Sequence, residues 1–135
     1  MYLFDTDSIS QIIKNRPNLS FIKKLAHVSP EDQFTTTITV GELIYGAYKS
    51  SRPDYFLERL DMMVWPTINI LSFDEDAARI YGKVRADLEK KGIVLSEPDM
   101  RIAAIALRNN LTVITGNTKH FLKVPELKVE NWLNK

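Results

Sequence analysis

Short apolar runs alternate along this chain with longer stretches whose apolar residues recur every three or four positions. Tyr2-Leu3-Phe4 is an apolar run that stops on Asp5 and reads as a short buried strand. Asp7 or Ser8 is placed to cap a following helix, with Gln11 three residues beyond Ser8 as a capping-box partner. Leu19 to Val28 carries Phe21, Ile22, Leu25 and Val28 at helical spacing, and Pro30 closes that helix. Gln33 to Ile38, rich in threonine, reads as a second strand. Thr39 to Tyr48 repeats Val40, Leu43, Ile44 and Ala47 with a helical period, and another helix covers Asp54 to Val64. Ile68 to Phe73 is the third strand. Asp74 caps a long amphipathic helix through Lys91, ended by Gly92. Pro98 opens a helix through Asn109, a position that proline tolerates. Leu111 to Thr115 is the fourth strand, and Lys128 to Trp132 a short last one.

Alternating strands and helices predict a parallel sheet covered on both faces. In such sheets ligands bind beyond the carboxyl ends of the strands. Asp5 and Asn117 fall at such ends, while Glu42 and Asp99 open helical patterns. Each acid has an ordinary explanation. Thr39-Val40-Gly41-Glu42 matches a capping box. Asp99 suits the positive end of its helix dipole. Asp5 is harder to explain, because an acid at the mouth of a buried strand loses hydration unless something pairs with it. If these groups converge, their repulsion is relieved by a hard divalent cation. Asp7 reads as a cap or supporting group, Glu97 is near enough to Asp99 to enter a site, and Asp74, Glu75 and Asp76 complement a helix dipole.

Composition narrows the chemistry. At 135 residues the chain reads as one domain. There is no cysteine, which removes disulfides, thiolate metal sites and thiol nucleophiles. His27 and His120 lack a partner at zinc-ligand spacing. A net charge of +1 means that nucleic-acid affinity must come from local patches. Arg79, Lys83 and Lys90 form one stripe, Lys119 and Lys123 lie near the proposed site, and Arg101 is placed to meet a phosphate or an acid. No apolar run approaches the ~20 residues that cross a bilayer, and no signal peptide is visible, so the expected location is cytoplasmic.

Four segments in order give this pattern a family likeness. They are Tyr2-Leu3-Phe4-Asp5-Thr6-Asp7, Thr39-Val40-Gly41-Glu42-Leu43 with Gly46, Pro98-Asp99-Met100-Arg101-Ile102-Ala103-Ala104, and Thr115-Gly116-Asn117-Thr118-Lys119-His120-Phe121. With the tail Val124 to Trp132, the chain resembles the PIN-domain nucleases, most closely the VapC-like toxins of bacterial toxin–antitoxin systems. The resemblance implies a single PIN-like domain over 1–135. It implies an α/β/α sandwich around a short, mainly parallel sheet of four to five strands. It further implies an endoribonuclease that uses Mg2+, or Mn2+, to hydrolyse RNA phosphodiesters. Asp5, Glu42 and Asp99 correspond to the acidic metal-site residues, with Asn117 at the fourth catalytic position. Many relatives carry an aspartate where Asn117 stands, or a glutamate where His120 stands, so here the fourth position adds no charge. A homodimer and an antitoxin that covers the active-site groove are the implied partners. Trp65, Met62, Met63, Tyr45 and Tyr48 are candidates for that surface or for the core.

Two rival readings stay open on sequence. Phe4-Asp5-Thr6-Asp7-Ser8 mimics the Asp-x-Asp opening of haloacid-dehalogenase-like phosphatases, whose first aspartate is a nucleophile. A PIN-like module with a decayed site, serving only to bind a partner, is the other.

Overall fold

The computed structural model describes residues 1–133. Twelve strands and helices are introduced here in chain order. They are β1 (Tyr2–Phe4), α1 (Thr6–Ile13), α2 (Leu19–Leu25), β2 (Gln33–Thr36), α3 (Thr37–Lys49) and α4 (Pro53–Met63), followed by β3 (Asn69–Leu71), α5 (Glu75–Lys90), α6 (Glu97–Arg108), β4 (Thr112–Ile114), α7 (Thr118–Phe121) and β5 (Val129–Glu130). Among the described residues the strands form one sheet in the order β3-β2-β1-β4-β5, with every pairing parallel. The expected α/β class holds, and the five strands agree with the four to five expected.

Strand alternation divides the core. Successive side chains point to opposite faces of a sheet. Leu3 and Val113 therefore face one apolar layer, with Val84 and Leu88 of α5 and Met100, Ile102 and Ile105 of α6. Phe4 and Ile114 face the other, with Ile9, Phe21, Leu43, Leu60 and Trp132. Phe4 meets Phe21 edge-on at 5.9 Å and Trp132 at 5.6 Å. Two helical layers thus clamp a sheet whose two central strands are completely buried at Leu3, Phe4, Val113 and Ile114. The parallel register pairs Leu3 with Val113 and Phe4 with Ile114, so the carboxyl ends of β1 and β4 are level with each other.

Several boundaries differ from the sequence reading, for local reasons. Asp5, rather than Asp7 or Ser8, caps α1 by accepting the Ser8 N–H at 3.0 Å. β2 ends at Thr36 because the Thr36 hydroxyl accepts the Thr39 N–H at 3.1 Å and starts α3 there. Glu42 consequently lies in the second turn of α3, too far along to complete a capping box. The helix read as Leu19 to Val28 stops at Leu25, and Pro30 opens a 3-10 turn over Pro30–Asp32. Thr118–Phe121, where the sequence reading places no element, is a single helical turn seated by the buried Phe121. Gly92 ends α5 with φ +70°, a conformation that favours glycine.

Candidate active site

Asp5 sits at the carboxyl end of β1 and is only 6% exposed. Three polar groups support it. The Ser8 N–H donates to Oδ1, the Ser8 hydroxyl anchors the same turn to the Ile114 carbonyl at 2.7 Å, and the Thr115 hydroxyl hydrogen-bonds the carboxyl group. No cation is among these supports. Burial pushes the Asp5 carboxyl from 3.8 up to about 6 against the hydrogen bonds of Thr115 and Ser8, and the charge of nearby Asp7 adds to the rise.

The other positions arrive from three further elements. Glu42 projects from α3, where its Oε1 accepts the Thr6 hydroxyl at 2.8 Å across 36 residues of chain. Asp99 stands in the first turn of α6, with its own N–H donating to the Ser96 cap at 3.3 Å. Asn117 follows β4, and its N–H donates to the Thr115 hydroxyl at 2.9 Å. Thr115 thereby ties Asn117 to Asp5. Gly116 leaves the turn between them narrow, since a Cβ there would lie 2.7 Å from Leu133 Cδ1.

These side chains line one cleft of about 180 Å³. Asp5, Asp7, Glu42, Asp99 and Asn117 form its polar wall, with Thr6 beside them and Ile102 and Phe121 as its apolar floor. No lysine or arginine is among its lining residues. At ~30 Å³ per water the cleft has room for about six waters. The donor set is hard oxygen, which suits Mg2+ or Mn2+. Its side chains nonetheless stand apart. Among the described residues, no three histidine, aspartate or glutamate side chains are close enough to form a ready-made ligand set. The chemistry and the room fit a hydrated ion reached partly through water, and the geometry does not fit a tightly caged one.

The remaining sequence candidates are placed elsewhere or engaged otherwise. Glu97 points away toward α5, where it meets Tyr81, Arg85 and Arg101, and the Tyr81 hydroxyl with the two guanidinium groups holds its carboxyl below the usual range. Arg101 bonds Glu97 at 3.1 Å and lies over the rings of Phe73 and Tyr81, so it pairs with an acid. Arg79 bonds Glu75, and Arg79 and Lys83 line a separate hollow on α5. His27 lines a hollow beside Tyr2 and Trp132. Tyr45, Tyr48, Met62 and Met63 are exposed, whereas Trp65 packs against the core.

Three contacts were not read from the sequence. Thr6 meets Glu42, and the Nδ1 of His120 lies 3.0 Å from Asn117 Nδ2 and 3.6 Å from Asp99 Oδ2. The position of Thr6, directly after Asp5, was the one available signal for the first.

An apolar hollow of about 320 Å³ opens beside the cleft. It is walled by Ile13, Leu43, Ala47, Phe56 and Leu60 and shares Thr6 and Glu42 with the cleft. No described helix is long and apolar enough to cross a membrane.

Comparison with known proteins gives this site a setting. A PIN domain family model matches residues 2–127. Ribonuclease VapC2 of Rickettsia felis is 30% identical over 133 residues, covering 98% of this chain and 98% of its own length. The tRNA(fMet)-specific endonuclease VapC of Salmonella typhimurium is 31% identical over 131 residues, covering 97% of each. The crystal structure of VapBC2 from Rickettsia felis bound to a promoter DNA fragment contains a chain with TM-score 0.89 and 30% identity, and the match covers 97% of this chain and 98% of that one.

Proposed function

The chain belongs to the PIN-domain family, within its VapC branch, and from that premise we propose that it is a metal-dependent endoribonuclease, the toxin of a toxin–antitoxin pair. The observation that carries the reading is the gathering of Asp5, Glu42, Asp99 and Asn117 from four separate elements onto one cleft without a basic residue. A phosphatase mechanism through Asp5 loses its basis with the family match.

Asp5 and Asp99 would hold one divalent cation, Mg2+ or Mn2+, with Glu42 contributing directly or through water. Such an ion, when bound, polarises a phosphate oxygen and lowers the pKa of water. The residues supply the rest. Asp5 is fixed by Ser8 and Thr115, so its carboxyl needs no reorganisation. Glu42 is held over the cleft by Thr6. Asn117 offers an amide oxygen without adding charge. A cleft carboxylate accepts the proton of the attacking water. Ile102 and Phe121 limit how much solvent enters from below.

The partners follow from the surface. The hollow beside the cleft fits the apolar face of a small antitoxin segment, which would cover Glu42 as it bound. The exposed Tyr45, Tyr48, Met62 and Met63 suit a homodimer contact. Sedimentation at micromolar concentration tests the dimer, and a monomer there counts against it. A toxin that cuts cellular RNA would act in the cytoplasm, and a single PIN-like domain over 1–135 would carry that activity.

The deciding experiment measures RNA cleavage with Mg2+, with Mn2+ and with chelator. Asp5→Asn and Asp99→Asn are expected to be nearly inactive while remaining folded. Wild-type turnover in both variants would refute the site. A folded parent chain that cuts no RNA with either ion would mark a binding module instead.

A further inference from the structure

Asn117 is the one uncharged member of the cleft's polar wall, and its side-chain amide has two unlike ends. The oxygen only accepts hydrogen bonds and the NH2 group only donates them. Which end turns inward decides what the position can do. An oxygen supports a cation. An NH2 group donates to the neighbouring carboxylates and competes with a cation for them. Electrostatics within the cleft favour the second arrangement. Asp5, Asp7, Glu42 and Asp99 line it with no lysine or arginine among the lining residues, so an amide donor is attracted to that wall and an amide oxygen is repelled.

The observed orientation is the opposite one. Asn117 Nδ2 donates to His120 Nδ1 at 3.0 Å. An amide NH2 group has no lone pair to offer, so Nδ1 is the acceptor and the ring proton sits on Nε2. His120 is not among the residues that line the cleft, so this bond draws the NH2 group away from the acids. Oδ1 accepts no hydrogen bond from the described residues and is left on the cleft side. The same Nδ1 lies 3.6 Å from Asp99 Oδ2, beyond hydrogen-bond reach, so the group that His120 engages is Asn117. Both residues are held by their own turn. The Asn117 N–H donates to the buried Thr115 hydroxyl at 2.9 Å, the His120 N–H donates to the Asn117 carbonyl at 3.2 Å, and Phe121 is buried in the core.

We propose that His120 is a positioning residue, which turns the Asn117 amide so that Oδ1 faces the cleft and serves its divalent cation. This rests on the metal-dependent reading above. The imidazole touches neither the ion nor the substrate. Without its acceptor the amide turns over and donates to a cleft carboxylate, which removes one oxygen donor and engages another. A carboxylate at position 117 would need no such help, because both of its ends are oxygen. The asparagine does need it, and His120 supplies the acceptor from three residues along the same turn.

The test uses the full chain. NMR of the 15N-labelled, metal-free parent is expected to show 15N–15N coupling across the hydrogen bond from Asn117 Nδ2 to His120 Nδ1, and its absence overturns the inference whether or not any variant folds. Calorimetric titration with Mg2+ then reads the consequence. His120→Leu should bind the ion about tenfold more weakly, the scale of losing a group that orients a metal ligand. His120→Gln should keep most of the affinity, since its Oε1 can accept the same Nδ2–H. In an Asn117→Asp background, His120→Leu should cost almost nothing further. Equal Mg2+ affinity in His120→Leu and the parent overturns the inference. So does an equal loss in both backgrounds, which would mean that His120 acts through Asp99 or the turn and not through the amide. If the parent binds Mg2+ and cleaves RNA in a chelator-sensitive way, the nuclease reading survives either result. A parent that binds neither Mg2+ nor Mn2+ overturns both.

Discussion

Thr6 Oγ1 donates to Glu42 Oε1 at 2.8 Å and joins α1 to α3 across the mouth of the cleft. Glu42 is exposed, and Thr6 is its one hydrogen-bond partner among the described side chains. Without that bond a long, solvated side chain has several rotamers open to it, and few of them point into the cleft. Thr6→Val removes the donor and keeps the shape. It is expected to lower kcat by about tenfold, the scale of losing a group that orients a metal-site ligand. Thermal unfolding should barely move, because the bond is at the surface. Steady-state cleavage beside a melting curve checks both parts. A variant with parental kcat would show that Glu42 orients itself.

Asp5 couples stability and activity in opposite directions. Its carboxyl titrates at about 6 in the fold, against 3.8 as the ordinary value. The folded state thus holds this proton more tightly than the unfolded chain does. Stability contributed by that proton is full below pH ~4 and is lost as pH rises to ~6. Above that, ionised Asp5 costs folding about 3 kcal/mol, an upper figure that a bound cation would offset. Asn at position 5 still caps α1 and carries no charge. Asp5→Asn is therefore expected to unfold later than the parent at pH 7.5 without metal, and at nearly the same denaturant concentration at pH 4. It should nearly lose RNA cleavage at either pH. Urea titrations at the two pH values read the difference, and a parent equal to the variant at pH 7.5 would contradict it.

That behaviour also marks what could be read from the chain. The three-residue run before Asp5 was enough to place a buried strand with an acid at its end, because burial of a strand and hydration of a carboxylate conflict locally. The helices were legible from their apolar period, and the alternation of elements was enough to give an α/β fold with a parallel sheet. The capping box that stood as the ordinary alternative for Glu42 fails, since the sequence offers both Thr36 and Thr39 as caps and the fold uses Thr36. Only the end of β2 decides between them. The turn over Thr118–Phe121 was invisible because four residues carry no period. His120 and Asp99 are 21 positions apart, and their approach depends on how α6 and α7 pack. No local pattern encodes that.

The charge network between α5 and α6 looks substantial and should matter little for stability. Arg85 bonds Glu89 at 2.9 Å and Glu97 at 3.0 Å, and also meets Tyr81. The charged groups Arg85, Glu89 and Glu97 are well exposed, so water and salt screen them. Ile105 is completely buried between the same helices and the sheet. Ile105→Ala is expected to cost ~2–5 kcal/mol. Arg85→Ala should shift the melting temperature only slightly, and 1 M NaCl should abolish the shift. A loss for Arg85→Ala matching that of Ile105→Ala would mean that the network, and not the apolar layer, holds α6 in place.

Gly46 gives access to the question of inhibition. It lines the apolar hollow beside the cleft, on the helix that carries Glu42 one turn earlier. A Cβ built there meets nothing within 4 Å, so the fold has room for a side chain. Replacing glycine inside a helix also removes an unfavourable residue worth ~1 kcal/mol. Gly46→Leu should therefore leave the chain folded and somewhat more stable, with its new side chain filling part of the hollow. A partner segment that docks there would lose apolar burial at ~25 cal/mol per Å² and would meet the leucine itself. The expected result is antitoxin binding at least about tenfold weaker, which is a loss of about 1.4 kcal/mol or more. Calorimetric titration of the two chains with the cognate antitoxin measures it. Equal affinity for Gly46→Leu and the parent would move the antitoxin off this hollow and leave inhibition to be sought on the Tyr45 and Tyr48 surface.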